Sequence, residues 1–424
     1  MSDIIHNTNQ YGLGTKSVKE LIDKFGSPLY VFDKDAFVEN YKHLLNAFRS
    51  IYPKYNIAYS YKTNYTPYIC KLIKELGGYA EVVSGMEYQV ARKIGYPNDR
   101  IVFNGPVKSQ DMLEQLSNGG VVNVDNLDEL ELILSYAREL KDSNPHKVLE
   151  LAFRVNIDIE QGFISRFGID ADNGDLDNAF ELARGEENIT VVGIHCHIGR
   201  SRGLQAWKNR VDKMFTLVDN FFDNPPLFIN LGSGMNSVME PVLAEQFGGH
   251  LPTYEEYASV VATVFREKYG RLDYSGQPEL LTEPGTTVVS GYLSFLTTVL
   301  SIKTVKEKIY ATFDGSSGNM GDICHLMQLP ITVHDCGSNA DRTVECADFV
   351  GYTCLEHDVM YKSYSGKLAV GDVVEFRNVG SYSNVFKPPF IYPNCAMVAV
   401  TKDSEPQLMK RRETTDDVFA TYVF

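Results

Sequence analysis

The sequence contains no stretch approaching about 18 consecutive apolar residues, the length a membrane-crossing helix needs, so no membrane partner is expected. It also lacks a long basic run. Forty Lys and Arg stand against 55 Asp and Glu, a formal charge of −15, which makes duplex nucleic acid a poor partner. The opening MSDIIHNTNQYGLG has no basic segment followed by an apolar run, and a cytoplasmic protein is the expectation. There is no Cys-x-x-Cys: Cys70, Cys196, Cys324, Cys336, Cys346, Cys354 and Cys395 are an odd, scattered set that fits reduced thiols better than a disulfide framework or a zinc finger. No internal repeat or low-complexity tract occurs.

What is present is a globular balance, 44% hydrophobic and 22% charged over 424 residues, enough for more than one core. From about Ser27 to Gly285, short β-rich runs alternate with amphipathic stretches. Candidate strands are Leu29–Phe32, Asn56–Tyr61, Ala80–Ser84, Ile101–Phe103, Val121–Val124, Leu149–Val155, Thr190–His197, Leu227–Leu231 and Leu280–Glu283. Tyr68–Leu76 and Leu127–Leu140 read as helices, the latter opened by Asp125 or Asn126. Strand and helix repeated about eight times predicts a parallel α/β fold, a (β/α)8 barrel by its length. After Gly285, the strand-like segments Val288–Val305, Lys308–Phe313, Ile331–His334, Lys367–Phe376 and Ala396–Val400 predict a C-terminal β-rich domain, with Pro28–Phe32 as its extra strand. The expected division is a barrel over 34–285 and a β-rich domain from 1–33 with 286–424. The polar tail after Thr401 reads as peripheral.

In a parallel barrel the functional rim is formed by the C-terminal ends of the strands. Lys62, the run His195-Cys196-His197-Ile198-Gly199, the turn Gly232-Ser233-Gly234 and Glu283-Pro284-Gly285 all fall there. Singly, each has an ordinary reading: a solvated charge, a turn, a loop. His195 and His197 leave three readings open, a structural pair, a metal site or another active-site role. Together the set matches the needs of pyridoxal phosphate: an amine for a Schiff base, glycine-rich loops for the phosphate, a carboxylate for the ring nitrogen and an imidazole to cover the ring.

The motifs carry a family resemblance. Tyr59-Ser60-Tyr61-Lys62-Thr63-Asn64, Glu81 to Glu87, Asn104 to Ser109, Arg154-Val155-Asn156 and Arg166-Phe167-Gly168 resemble, in order, those of the alanine-racemase-fold (group IV) ornithine and diaminopimelate decarboxylase family. So do His195 to Gly199, Leu231 to Met235, Glu283-Pro284-Gly285, Gly351 to Cys354 with Asp358, Gly371-Asp372 and Gly380-Ser381-Tyr382. The resemblance covers nearly the whole chain. It implies a carboxy-lyase that uses pyridoxal 5'-phosphate, with Lys62 as the Schiff-base lysine, His197 stacked on the ring and Glu283 at the pyridine nitrogen. It implies further that Glu81 and Arg154 border the cofactor, that Ser233, Gly234, Gly285 and Tyr382 hold its phosphate, and that Cys354 is the proton donor. Cys354 would come from the partner in a homodimer with shared active sites.

Several positions depart from the family pattern. Thr286 follows Glu-Pro-Gly where diaminopimelate decarboxylases carry an arginine. Leu355, not an acidic residue, follows Cys354, with Glu356 one place later. Arg200 replaces a serine after His-Ile-Gly. Asp322, Cys324 and His325 stand where a second substrate-binding arginine is usual. Arg200, Thr286, Asp322, Leu355 and Glu356 are therefore the candidate substrate-binding residues, with Phe386, Phe390, Ile391 and Tyr392 as a candidate wall. The expected substrate is an amino acid other than standard meso-diaminopimelate: a siderophore, antibiotic or carboxylated polyamine precursor, or an acylated or carrier-linked amino acid. The rivals are a racemase using the same cofactor, a non-catalytic relative that binds a protein, and a metal-dependent hydrolase built on His195 and His197. No resident metal is expected.

Overall fold

Among the described residues, eight parallel strands close on themselves: Tyr55–Ser60, Tyr79–Val82, Ile101–Phe103, Val121–Val124, Leu149–Asn156, Ile189–His195, Phe228–Asn230 and Glu279–Thr282. Closure is made where Glu279–Thr282 pairs with Tyr55–Ser60, with Leu280 opposite Tyr55, and where Val121–Val124 pairs with Leu149–Asn156, with Val122 opposite Leu151. The computed structural model describes Leu13 and residues 15–162, 164–337 and 342–424. The first twelve residues, assigned to the β-rich domain on sequence, lie outside them.

The helices between the strands start where the sequence supplies caps. Leu127–Ser143 begins at Asn126, whose side chain accepts the Glu129 N–H at 2.9 Å, and it buries Leu130, Ile133, Leu134 and Ala137 on one face. Tyr254–Tyr269 opens with a capping box of Thr253 and Glu256. Because every barrel strand runs the same way, all their C-terminal ends open on one rim, and the candidate chemistry follows those ends.

The chain divides into two units. Asn40–Asn236 with Leu251–Thr287 carries the barrel; residues up to Glu39, Ser237–His250 and Val288–Phe424 form the sheet unit. The segment Ser237–His250, assigned to the barrel on sequence, thus groups with the sheet unit. There, Leu29–Asp33 lies between Leu293–Val305, antiparallel to it, and Ala396–Val400, parallel to it. The N-terminal run is a strand of the C-terminal sheet, as expected for a chain end that meets the other at a domain surface. Val18, Leu21, Leu29, Val31, Leu296, Val373, Ala396 and Val398 form a core there.

Three expectations change. The strand expected from Val288 starts at Leu293, because Thr286–Val289 is a helical turn and Ser290–Tyr292 a 3-10 turn. Lys367–Phe376 is not one strand: Lys367 ends the strand Val359–Lys367 and Val373–Phe376 is another, with the Gly371-Asp372 turn before it. In the tail, Gln407–Lys410 is a strand paired with Ala396–Val400.

Candidate active site

Lys62 sits on the 3-10 turn Tyr61–Thr63, directly after the strand Tyr55–Ser60. Its Nζ lies 2.6 Å from Ser60 Oγ and 2.8 Å from Glu81 Oε2, with about a third of the side chain exposed. Ser60 also donates to Glu81. Glu81, on the next strand and 1% exposed, accepts from Asn104 Nδ2 at 3.0 Å through its other oxygen. The same Asn104 nitrogen donates to Glu283 Oε1 at 2.7 Å, and its orientation is set by Asn123, whose Nδ2 donates to Asn104 Oδ1 at 2.6 Å. A single amide therefore bridges two buried carboxylates.

Glu283 leaves the last barrel strand and is 1% exposed. Asn230 Nδ2 donates to Oε1 at 2.8 Å, and His195 Nε2 stands 3.1 Å from Oε2. Burial alone would raise the Glu283 pKa, but His195 and the surrounding hydrogen bonds hold it well below the usual carboxylate range. An ionised carboxylate, an acceptor only, is what this ring of donors suits.

His195 and His197 do not share a strand face. The strand ends at His195, which is fully buried, while His197 lies beyond it with about a quarter of its side chain exposed. His197 Nδ1 accepts the Ser233 N–H at 3.3 Å and lies 3.5 Å from Glu283 Oε2. Burial lowers the His197 pKa, opposed by Glu283 and assisted by Lys62, so the ring is disposed to be neutral. Among the described residues no group of three or more His, Cys, Asp and Glu is placed to hold a metal ion.

The remaining rim groups are similarly anchored. Arg154 Nη1 is 3.3 Å from Asp125 Oδ1, and the guanidinium lies over the Phe167 ring, 4.8 Å from its centroid. Gly234 adopts φ +111°, and a Cβ there would stand 2.5 Å from the Ile198 carbonyl oxygen, so this turn accepts only glycine without rearrangement. Gly285 packs against Thr63, whose side chain fills the space a Cβ would need. Thr286 opens the following helical turn, and Arg200 is exposed on the loop after His197. Burial pushes the Cys196 thiol up to about 12, which leaves it inert although it lies between the two histidines.

The sheet unit holds a cavity of about 240 Å³. Asp322, Leu355 and Tyr382 line it, together with Phe386, Lys387 and Phe390. Cys354 and Glu356 are not among its lining residues; both are exposed on the same loop. Asp358, 3% exposed, accepts the Ser317 N–H at 2.7 Å and the Thr353 hydroxyl at 2.6 Å. Burial lowers the Lys387 pKa, and its Nζ lies 3.2 Å from Asn394 Oδ1.

Sequence reasoning did not single out Asn123, Asn230, Arg210 or Lys387, and it gave Asn104 no role. The asparagines had one signal, their place at or next to strand ends that face a common rim.

The residues fit an aldehyde cofactor with a phosphate tail. A partly exposed amine stands beside a buried carboxylate, and glycine turns with close backbone approach lie on the same rim. The class so defined is a barrel enzyme with covalent amine chemistry. Residues 38–290 match the family described as pyridoxal-dependent decarboxylase, pyridoxal binding domain, and residues 218–380 match pyridoxal-dependent decarboxylase, C-terminal sheet domain. The chain belongs to the pyridoxal-dependent decarboxylase family; it is a carboxy-lyase that uses pyridoxal phosphate. It is similar to the diaminopimelate decarboxylase of Methanocaldococcus jannaschii, 28% identical over 95% of this chain and 92% of that protein. The diaminopimelate decarboxylase of Bacillus subtilis is 27% identical over 98% and 97%. The crystal structure of the M. jannaschii diaminopimelate decarboxylase in complex with L-lysine matches with a TM-score of 0.82 at 25% identity, over 96% of this chain and 94% of that one.

Proposed function

We propose that the enzyme removes the α-carboxylate of an amino acid whose distal end is not the free ammonium–carboxylate pair of meso-diaminopimelate. Pyridoxal phosphate, when bound, supplies a conjugated ring that accepts the electron pair left at the α-carbon. Lys62 Nζ holds the cofactor, Glu283 favours a proton on the ring nitrogen, and the His197 imidazole covers the ring. Glu81 and Arg154 border it, and Ser233, Gly234, Gly285 and Tyr382 take the phosphate. Cys354 Sγ returns a proton to the α-carbon and comes from the sheet unit of a second copy, in a homodimer with shared sites. Arg200, Thr286, Asp322 and Leu355 face the substrate.

The observation that carries the substrate reading is the wall of the sheet-unit cavity. Leu355 lines it and Glu356 does not, which supports a pocket without the acidic residue usual after the cysteine. The one buried carboxylate in the lining, Asp358, is already hydrogen-bonded. On the stretch of wall formed by Leu355, Phe386 and Phe390 a substrate ammonium meets no carboxylate, the exposed lining residue Asp322 belonging to a different segment, whereas Lys387 and the aromatic rings suit a neutral, acylated or anionic end.

A carbon dioxide release panel tests this, using meso-diaminopimelate, lysine, ornithine, arginine and side-chain-acylated or carboxylated derivatives of each. The expected result is the highest kcat/KM on a derivative without a free distal ammonium. Highest kcat/KM on meso-diaminopimelate overturns the substrate reading, and racemisation without carbon dioxide release overturns the role given to Cys354.

A further inference from the structure

We infer that Arg210 is a positioning residue for the cofactor phosphate, drawing the carbonyls of two rim loops inward so that the N–H groups of Gly199 and Gly234 face the anion. The inference rests on the proposed assignment of the Gly232-Ser233-Gly234 turn to the phosphate.

Arg210 is fully buried on the helix Leu204–Phe221, its guanidinium stacked 4.2 Å from the Trp207 ring centroid. Nη1 donates to the carbonyls of Leu231 at 2.9 Å and Ser233 at 2.8 Å, and Nη2 to that of Ile198 at 3.0 Å. One side chain therefore ties the loop after His197 to the loop after Asn230. Among the described residues no carboxylate pairs with it, and burial lowers its pKa. A buried cation held only by carbonyls is costly, and a fixed anion nearby offsets that cost.

The peptide geometry gives the direction. The peptides 198–199 and 233–234 are trans, so each N–H points opposite its carbonyl. With the Ile198 and Ser233 carbonyls turned to Arg210, the N–H groups of Gly199 and Gly234 point away from it. Neither has a partner among the described residues. Paired backbone N–H groups of this kind form an anion-binding concavity. The third carbonyl obeys the same rule, since the Gly232 N–H, opposite the Leu231 carbonyl, is taken by Asn230 Oδ1 at 2.9 Å.

The experiment measures dissociation constants for pyridoxal phosphate and for pyridoxal, which lacks the phosphate, in the wild type, Arg210→Met, Arg210→Lys and Gly234→Ala. Arg210→Met should weaken pyridoxal phosphate binding by about 10- to 100-fold, the size expected for loss of charged hydrogen bonds, and leave pyridoxal binding unchanged. Arg210→Lys, which keeps the charge but cannot span both loops, should fall between, and it carries the test if the methionine variant does not fold. Equal weakening of both ligands, or of neither, in the Arg210 variants overturns the inference. If Gly234→Ala alters the discrimination between the ligands and the Arg210 variants do not, only the role of Arg210 fails; if Gly234→Ala also leaves it unchanged, the phosphate assignment fails with it.

Discussion

At the barrel rim, Lys62, Glu81, Asn104 and Glu283 are joined by hydrogen bonds of 2.7 to 3.0 Å, and all but the lysine are at most 2% exposed. In the sheet-unit cavity, Leu355, Tyr382, Phe386 and Phe390 are 40 to 69% exposed, and their side chains meet their surroundings mainly through apolar contact. The first region has each polar group oriented by at least one other, so a change at one member is transmitted to the rest. The second can exchange a side chain at little cost to folding. In the proposed reading the covalent step falls in the first region, while the second contributes Cys354 from its loop and Tyr382 from its wall and otherwise selects the substrate, which is how one fold serves many substrates.

The largest effect that could break this contrast is at Lys62. Lys62→Ala should lower turnover by more than about 1,000-fold, the scale of removing a covalent catalyst. Borohydride reduction and peptide mapping, which should place the cofactor on Lys62 in the wild type, should find no labelled peptide in the variant. Label on another lysine with activity retained would move the chemistry out of the network.

A stability effect separates the rim carboxylates from one another. Glu87, in the first turn of Gly85–Ile94, is 4% exposed and accepts the Val83 N–H at 2.8 Å. Burial, with Glu81 nearby, raises its pKa to about 7 from a usual 4.5. The sign follows from linkage: the folded state holds a proton that the unfolded state releases, so stability is full below about pH 4.5 and declines as pH rises to about 7. Glu87→Gln keeps an acceptor for Val83 and removes the titration. It should gain up to about 3 kcal/mol over the wild type at pH 8 and show no such gain below pH 4. Thermal unfolding at both pH values checks this, and a parallel pH dependence in the two proteins would contradict it.

Glu283 differs from Glu87 in being surrounded by donors, and its effect should appear in kcat. Glu283→Gln retains the shape but not the charge, and it presents an NH2 group to donors already aimed at that site. Turnover should fall about 100-fold, the size of losing a preorganised electrostatic partner, with a smaller change in cofactor affinity. A wild-type kcat would remove Glu283 from the ring nitrogen.

Much of the barrel was legible because its strands are buried on both faces and read as short apolar runs between amphipathic helices, giving Ile101–Phe103 and Val121–Val124 to the residue. Thr343–Val350 and Val359–Lys367 were not legible. Their polar residues alternate poorly, and most of the latter strand is exposed or half-buried, so nothing in TVECADFV or VMYKSYSGK marks a packed face. The site shows the same division. Lys62, His197 and Glu283 stand out as reactive groups at strand ends, whereas Asn104 reads as a loop residue and Asn123 and Asn230 as strand positions without a role until barrel closure brings them within reach of Glu283 and of one another. Arg210 left a trace, a lone cation on the helical face of Trp207, Val211 and Met214, but which carbonyls it would meet depends on two loops distant in sequence.

The smallest expected effect is the one that sharpens the comparison most. Leu355→Asp alters a residue that is 42% exposed, so its cost to folding should be slight. It places a carboxylate on the wall one residue after Cys354, in addition to the lining Asp322 and Asp358. A substrate with a distal ammonium would then gain a charge-assisted hydrogen bond, screened by the open cavity, and its kcat/KM should rise about 10-fold relative to wild type. Derivatives with a blocked distal end should lose activity in the same variant, because the new carboxylate is desolvated without return. The opposite movements in KM, with kcat nearly constant, would mark a wall that selects and does not react. A fall in kcat on every substrate would instead tie Leu355 to the reacting atoms and dissolve the distinction between the two regions.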